Sequence, residues 1–225
     1  MRHARSDRAL ELQIHLSSVR VPLPSDPDDE YFWCVNEMEL EKFSAKYTWD
    51  SLRPRGPVQE WTANVWFKGA VTRHAFHFWV THLDRLPTRS RLASWGLSVD
   101  QSCCLCGNAQ ESRDHLFLRC EVSRHLWSLI TRRLGYRTFT FHTWTTFTSW
   151  LGSQHPTHSS TLRRLAAQAT IYILWYERNS RLHNNMSSSP AALFKQLDRL
   201  IKDTILARRK MKAFGGLLRR WLAFA

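Results

Sequence analysis

No stretch of this chain approaches the ~18–20 consecutive apolar residues that a membrane-spanning helix needs. The N-terminus, Met-Arg-His-Ala-Arg-Ser-Asp, holds no hydrophobic signal segment. With five cysteines and no such segment, a disulfide framework is disfavoured, and an intracellular, reducing compartment is expected, nucleus and cytoplasm being indistinguishable. Also missing are a glycine-rich phosphate loop, a Gly-x-Ser-x-Gly elbow, a His-Glu-x-x-His helix, and the His-x-Glu with Pro-Cys-x-x-Cys of zinc deaminases. These absences exclude the familiar hydrolytic and phosphoryl-transfer classes, and a non-enzyme is expected. There is no internal repeat.

What the chain has is positive charge. Its 225 residues carry a net charge of +13 and 43% hydrophobic content, enough for one substantial core and a surface that favours polyanions. The charge is uneven: residues 26–60 hold nine acids and four bases, whereas 195–225 hold nine bases and two acids.

The decisive pattern is Cys103-x2-Cys106-x8-His115-x4-Cys120. Zn²⁺ takes four nitrogen or sulfur ligands at tetrahedral corners, and a Cys-x2-Cys turn aims two sulfurs at one point. Gly107 follows where a tight turn needs positive φ. Residues 107–114 are polar and suit a solvated excursion, with Glu111 stabilising the loop or facing water. Positions 115 and 120 would diverge by roughly 140° on an undistorted helix, so one ligand is expected near the frayed end of a helical turn. Cys104 is a rival to Cys103, but Cys-x-Cys closes a chelate less easily. Four protein ligands leave no open position, so a structural Zn²⁺ is expected rather than a catalytic one. Cys34, beside Trp33, is expected to pack as an apolar residue.

Periodicity points to a mainly α fold: a helical domain enclosing the CCHC zinc loop. Residues 4–18 suit a helix or frayed arm, with a Pro/Asp break at 22–29. Tyr31–Asn36 can pair in a short β-hairpin. Ser44 caps a helix that stops before Pro54. Residues 61–67 and 71–83 look helical, with Trp61, Val65, Phe76, Trp79, Val80 and Leu83 at three- and four-residue steps. Thr88 opens a helix that Gly96 closes, and Val122–Leu134 is another. Residues 136–150 suit strand or helix alike. Helical spacing returns at Leu162, Leu165, Ala166, Ala169, Tyr172, Ile173 and Tyr176. After Pro190 a C-terminal amphipathic basic helix places Leu193, Phe194, Leu197, Leu200, Ile201 and Ile205 on one stripe. The expected division is 1–27 arm and linker, 28–135 zinc-loop domain, 136–186 helical continuation and 187–225 basic C-terminal arm. Most tryptophans are expected in the core, with Trp79, Trp95 and Trp127 covering the metal loop. His74, His77 and His82 are expected at the surface or at helix caps.

An ordered set of residues resembles the reverse transcriptase zinc-binding domain of plant non-LTR (LINE-type) retrotransposon polyproteins. It comprises Asp29, Trp33, Phe43-Ser44-x-Lys46, Trp61, Trp66, Phe78-Trp79, Leu86-Pro87-Thr88, Leu92 and Trp95. It continues through the four metal positions with Glu111-Ser112, Leu116-Phe117 and Trp127. Trp175-Tyr176-Glu177-Arg178-Asn179 resembles the tail that follows this domain. The resemblance implies that Cys103, Cys106, His115 and Cys120 hold the metal. The polymerase's Tyr-x-Asp-Asp turn and the strand-borne carboxylate cluster of a ribonuclease H are absent. The expected function is a zinc-stabilised nucleic-acid-binding module. The alternative is a structural or protein-interaction remnant whose C-terminal helix docks a reverse transcriptase or other protein. Backbone phosphates of RNA or DNA would meet Arg85, Arg89, Arg91, Arg113, Arg119 and Arg124 around the loop, and Arg208, Arg209, Lys210 and Lys212 near the C-terminus.

Overall fold

Contacts divide the chain into two compact units, Met1–Pro57 and Val58–Ala225. The computed structural model describes residues 6–21, 23–25, 27, 30–137, 139–155 and 157–224. Asp29 of the family resemblance, residues 1–5 of the expected arm, and Pro22, Asp26 and Asp28 of the expected break lie outside them. The architecture is mainly helical, with one short hairpin.

In the first unit, helix α1 (Asp7–Ser18) starts at Ser6, whose Oγ accepts from the Ala9 amide, and it buries no side chain. Strands β1 (Trp33–Val35) and β2 (Met38–Leu40) pair antiparallel, Trp33 opposite Leu40. Their two-residue turn places Asn36 and Glu37 at φ 47° and 64°, the left-handed pair that matches the twist of a tight hairpin. Helix α2 (Ala45–Leu52) is capped by Ser44 as its position predicts. It holds the hairpin through Trp33 Nε1, which donates to Thr48 Oγ1 at 2.8 Å. Cys34 does not pack: it is exposed while its neighbour Val35 is buried, because successive strand side chains face opposite ways.

The second unit is organised by one long helix. In chain order its helices are α3 (Thr62–Val65), α4 (Thr72–His82), α5 (Arg89–Ser94), a π-helical turn (His115–Arg119), α6 (Glu121–Arg133), α7 (Trp144–Gly152), α8 (Ser160–Asn184), α9 (Pro190–Ala207), a 3-10 turn (Lys212–Phe214) and α10 (Leu217–Leu222). Helix α8 is apolar on most sides, burying Leu162, Leu165, Ala166, Ala169, Ile171 and Leu174 among others, as a helix packed all round must. It lies against α4, α6, α7 and α9. Helix α9 starts at Ser189 with Pro190 in its first turn. Its stripe of Leu193, Leu197, Ile201 and Ile205 is buried, so the face offered by the sequence for docking a partner is already occupied by this chain's own core.

The ambiguous segment before residue 150 ends in helix α7. Thr143 and Thr146 exchange side-chain and backbone hydrogen bonds in a capping box at its start. Trp95 is 57% exposed and does not cover the metal loop, whereas Trp127 is buried as expected.

Helix α4 turns a different face inward from the one its aromatic spacing suggests. Ala75, Phe78, Thr81 and His74 are buried, and Phe76 is exposed. His74 packs tilted against Tyr172 at 4.7 Å, and His77 meets the same ring edge-on at 5.6 Å. Among the described residues neither finds a hydrogen-bond partner for its Nε2. Burial, reinforced at His74 by Arg73, His77 and Arg208, lowers both from 6.5 to about 4. His82 is also lowered, by burial and then Arg113, and it accepts from Trp144 Nε1 at 3.1 Å. His74 is a core group and His77 is half-buried against Tyr172, neither at the surface as expected, whereas His82 is half-buried in the last turn of α4, the helix-end position expected of it.

A pH dependence follows. Below about 6.5 an unfolded chain protonates these imidazoles, while the folded chain resists until about 4. Their contribution is therefore complete above 6.5 and lost as pH falls through that window. Each of His74 and His77 accounts for about 3 kcal/mol. Melting curves across this range should show a steeper acid loss for the natural chain than for a His77→Phe variant.

Candidate metal centre

The Cys-x2-Cys turn is a small backbone knuckle. The Cys103 amide donates to Ala109 O at 2.7 Å, the Glu111 amide to Gln101 O at 2.8 Å, and the Gly107 amide to Cys103 O at 2.8 Å. Gly107 takes φ 72°, the left-handed value that its position after the pair requires. The Leu105 amide points at Cys103 Sγ, 3.4 Å away, an orientation that favours a thiolate there.

The other half of the site depends on an unusual turn. His115–Arg119 is π-helical, and the Cys120 amide donates to His115 O at 2.7 Å. That bond spans five residues instead of four, so Cys120 comes back over His115 where an α-helix would swing it away. The divergence expected from spacing holds for an undistorted helix; the extra residue in the turn removes it. Cys120 then caps α6, its carbonyl accepting from the Arg124 amide at 2.8 Å. The carbonyls that the turn leaves open are satisfied by α6: Ser123 Oγ donates to Leu116 O at 2.5 Å, and Trp127 Nε1 to Phe117 O at 2.8 Å.

As a result the ligand atoms of Cys103, Cys106, His115 and Cys120 all lie within 4.8 Å of one another. Cys103 and Cys120 sulfurs are 4.0 Å apart, and Cys106 Sγ lies 3.3 Å from His115 Nε2. Sulfurs bound to one tetrahedral Zn²⁺ stand about 3.8 Å apart, given a metal–sulfur bond of about 2.3 Å. The hydrogen bond to Cys120 and then burial push the Cys103 thiol far up, while the same contact pulls Cys120 down. Two buried sulfurs 4.0 Å apart are a pair that a divalent cation suits. Three sulfurs and one imidazole therefore fit a tetrahedral metal ion, and Cys104 stands outside the group.

Glu111 is fully buried, not solvated. Its Oε1 accepts from Arg178 Nη2 at 2.9 Å and from the Arg89 amide at 3.0 Å, and its Oε2 from the Cys104 amide at 3.0 Å. Burial alone would raise this carboxyl, but the hydrogen bonds from Arg178 and Cys104 outweigh it and the group is lowered. One carboxylate thus ties the knuckle, the start of α5 and helix α8 together. Arg181 adds a second tie, donating to Leu105 O at 2.7 Å while pairing with Glu177 at 2.7 Å. Asp114 Oδ2 accepts from the Trp144 amide at 3.0 Å, anchoring α7 as well.

The ten basic residues singled out by sequence fall into two groups. Arg89 is engaged by Asp100 and Ser102, Arg113 by Asp114, His82 O and the Trp144 ring, and Arg91 by Asp84 O and the Trp95 ring. Arg85, Arg119, Arg124, Arg209, Lys210 and Lys212 are exposed, and Arg208 is half-buried. Folding also brings Lys68 beside Lys210 and Lys212, in a hollow of about 640 Å³ that none of the loop arginines line. Nothing in the local sequence around Lys68 marks it, since these neighbours lie far downstream.

Residues 43–127 match the model of the family described as zinc-binding in reverse transcriptase. No curated protein and no solved structure matches the chain. All four clustered residues fall inside the matched span, whereas Arg178 and Arg181, which brace them, fall beyond it. The segment 43–127 is thus similar to the zinc-binding domain of reverse transcriptases.

Proposed function

We propose that the chain is a non-catalytic module in which a structural Zn²⁺ on Cys103, Cys106, His115 and Cys120 holds a helical body that grips the phosphate backbone of RNA or DNA. Its origin in this reading is the reverse transcriptase of a plant LINE-type retrotransposon. Four protein ligands would close the metal's shell, which supports a structural ion. Free sulfurs of this kind suit a reducing compartment.

The observation that carries the nucleic-acid reading is the hollow of about 640 Å³ lined by Lys68, Lys210 and Lys212 with no acid among its lining residues. Three lysines drawn from two distant parts of the chain repel one another, and a string of phosphates would neutralise them. Exposed Arg85, Arg119 and Arg124 extend the basic surface. The docking alternative draws no support from α9, whose apolar stripe is buried.

Filter retention of single-stranded RNA and of duplex DNA at rising salt tests this. Affinity should fall steeply with salt, and glutamine at Lys68, Lys210 or Lys212 should each flatten the log–log slope by about one. Retention of neither polymer in a salt-sensitive way sinks the reading.

A further inference from the structure

Arg163 is 1% exposed, yet no carboxylate among the described residues pairs with it. Its Nη1 donates to the Tyr136 hydroxyl at 3.0 Å, and its Nη2 to Leu151 O at 3.1 Å and to Ser153 O. All three acceptors are neutral, the Trp150 ring lies 5.6 Å from the guanidinium carbon, and Nε is buried with no hydrogen-bond partner among the described residues. A permanently charged guanidinium held this way is out of the ordinary, because buried charges are normally met by an opposite one.

The same side chain lines a cavity of about 310 Å³ together with Tyr136, Ser159 and Arg220. Arg220 is exposed on α10, and its Nη1 donates to Thr157 O at 3.2 Å, leaving the rest of its fork free to turn inward. Ser159 is the N-cap of the 25-residue α8, its Oγ accepting from the Leu162 amide at 3.3 Å, so the cavity also receives the positive end of the longest helix, where the Ser160 and Thr161 amides have no acceptor within the helix. The Tyr136 oxygen accepts from Arg163 and keeps its own hydrogen for an acceptor. No acid lines the space; Thr157 and His158, whose ring stacks on Tyr136 at 4.1 Å, add polar groups, and Leu134, Leu162 and Phe224 form an apolar side.

We propose that this cavity is a binding site for a phosphoryl group, with Arg163 as its fixed buried cation, Arg220 as its gate-side cation, and the Tyr136 hydroxyl and the start of α8 as neutral donors. The apolar wall suits the organic part of a phosphate monoester. The site uses none of the lysines invoked for backbone binding, so the two readings stand or fall separately.

The test is a titration of isotope-labelled, metal-loaded protein with inorganic phosphate, a nucleoside monophosphate and a short single-stranded RNA, against chloride at equal ionic strength. Saturable shifts of the amides at Ser159, Ser160 and Thr161 are expected with phosphate. Because Arg163 variants can fail to fold, the variants are Arg220→Gln and Tyr136→Phe. The first should weaken binding at least about tenfold, the loss of one charge-assisted hydrogen bond. Tighter binding of the monophosphate than of phosphate assigns the apolar wall to the nucleoside, equal binding assigns the site to the phosphoryl group alone, and stronger binding of the RNA assigns it to a chain phosphate. Shifts that do not saturate, or that Arg220→Gln leaves unchanged, overturn the proposal, whatever the Lys68, Lys210 and Lys212 variants do to polymer retention.

Discussion

Serine in place of Cys120 is expected to release the metal and to lower the melting temperature by about 10 °C or more. Cys120 is fully buried and stands 4.0 Å from Cys103 sulfur to sulfur. Its backbone also starts α6, a role that serine preserves, so the loss would report the metal and not the cap. The ion is what would join the knuckle to the π turn at this point, and its release frees both halves to separate. Cys104→Ser is the control, because that sulfur lies outside the cluster. Elemental analysis and melting with and without chelator check both variants. Unchanged metal content and melting in Cys120→Ser would remove the ion from this account.

The second large effect belongs to Arg178. Methionine there fills a similar volume but leaves the Glu111 carboxylate buried with only amide donors, which is expected to cost about 3–5 kcal/mol. Glu111→Gln alone should also destabilise, because it leaves the buried Arg178 without its carboxylate and sets an amide NH2 against N–H donors. Combining the two should recover part of the loss, and a double-mutant cycle from denaturant melts measures the coupling. If Arg178→Met melts like the natural chain, the bracing of the knuckle by α8 is wrong.

The metal quartet was legible because ligand spacing within eighteen residues is a local property. The helix starts at Ser44 and Thr88, the close at Gly96 and the break before Pro190 were legible for the same reason. What escaped was long-range. Glu111 could be taken as loop-stabilising, but its partner lies 67 positions away, and sequence offers no register between the two. The Trp175–Asn179 tail was recognisable by resemblance, while its physical role, an arginine reaching back to the knuckle, needed coordinates. Helix α4 misled because aromatics occupy several of its faces: His74 and Phe78 are inside and Phe76 is out, a choice made by packing against α8. Cys34 was placed by its apolar character beside Trp33 and Trp95 by its position just before the loop, and both face solvent.

The five-residue hydrogen bond from Cys120 to His115 also fixes chain length. Deleting any one of Leu116, Phe117, Leu118 or Arg119, the residues between these two positions, would turn Cys120 away from His115 by about 100° along the turn. The carbonyls of Leu116 and Phe117, which accept from Ser123 and Trp127 of α6, would shift with it. The number of residues here is therefore constrained separately from their identity.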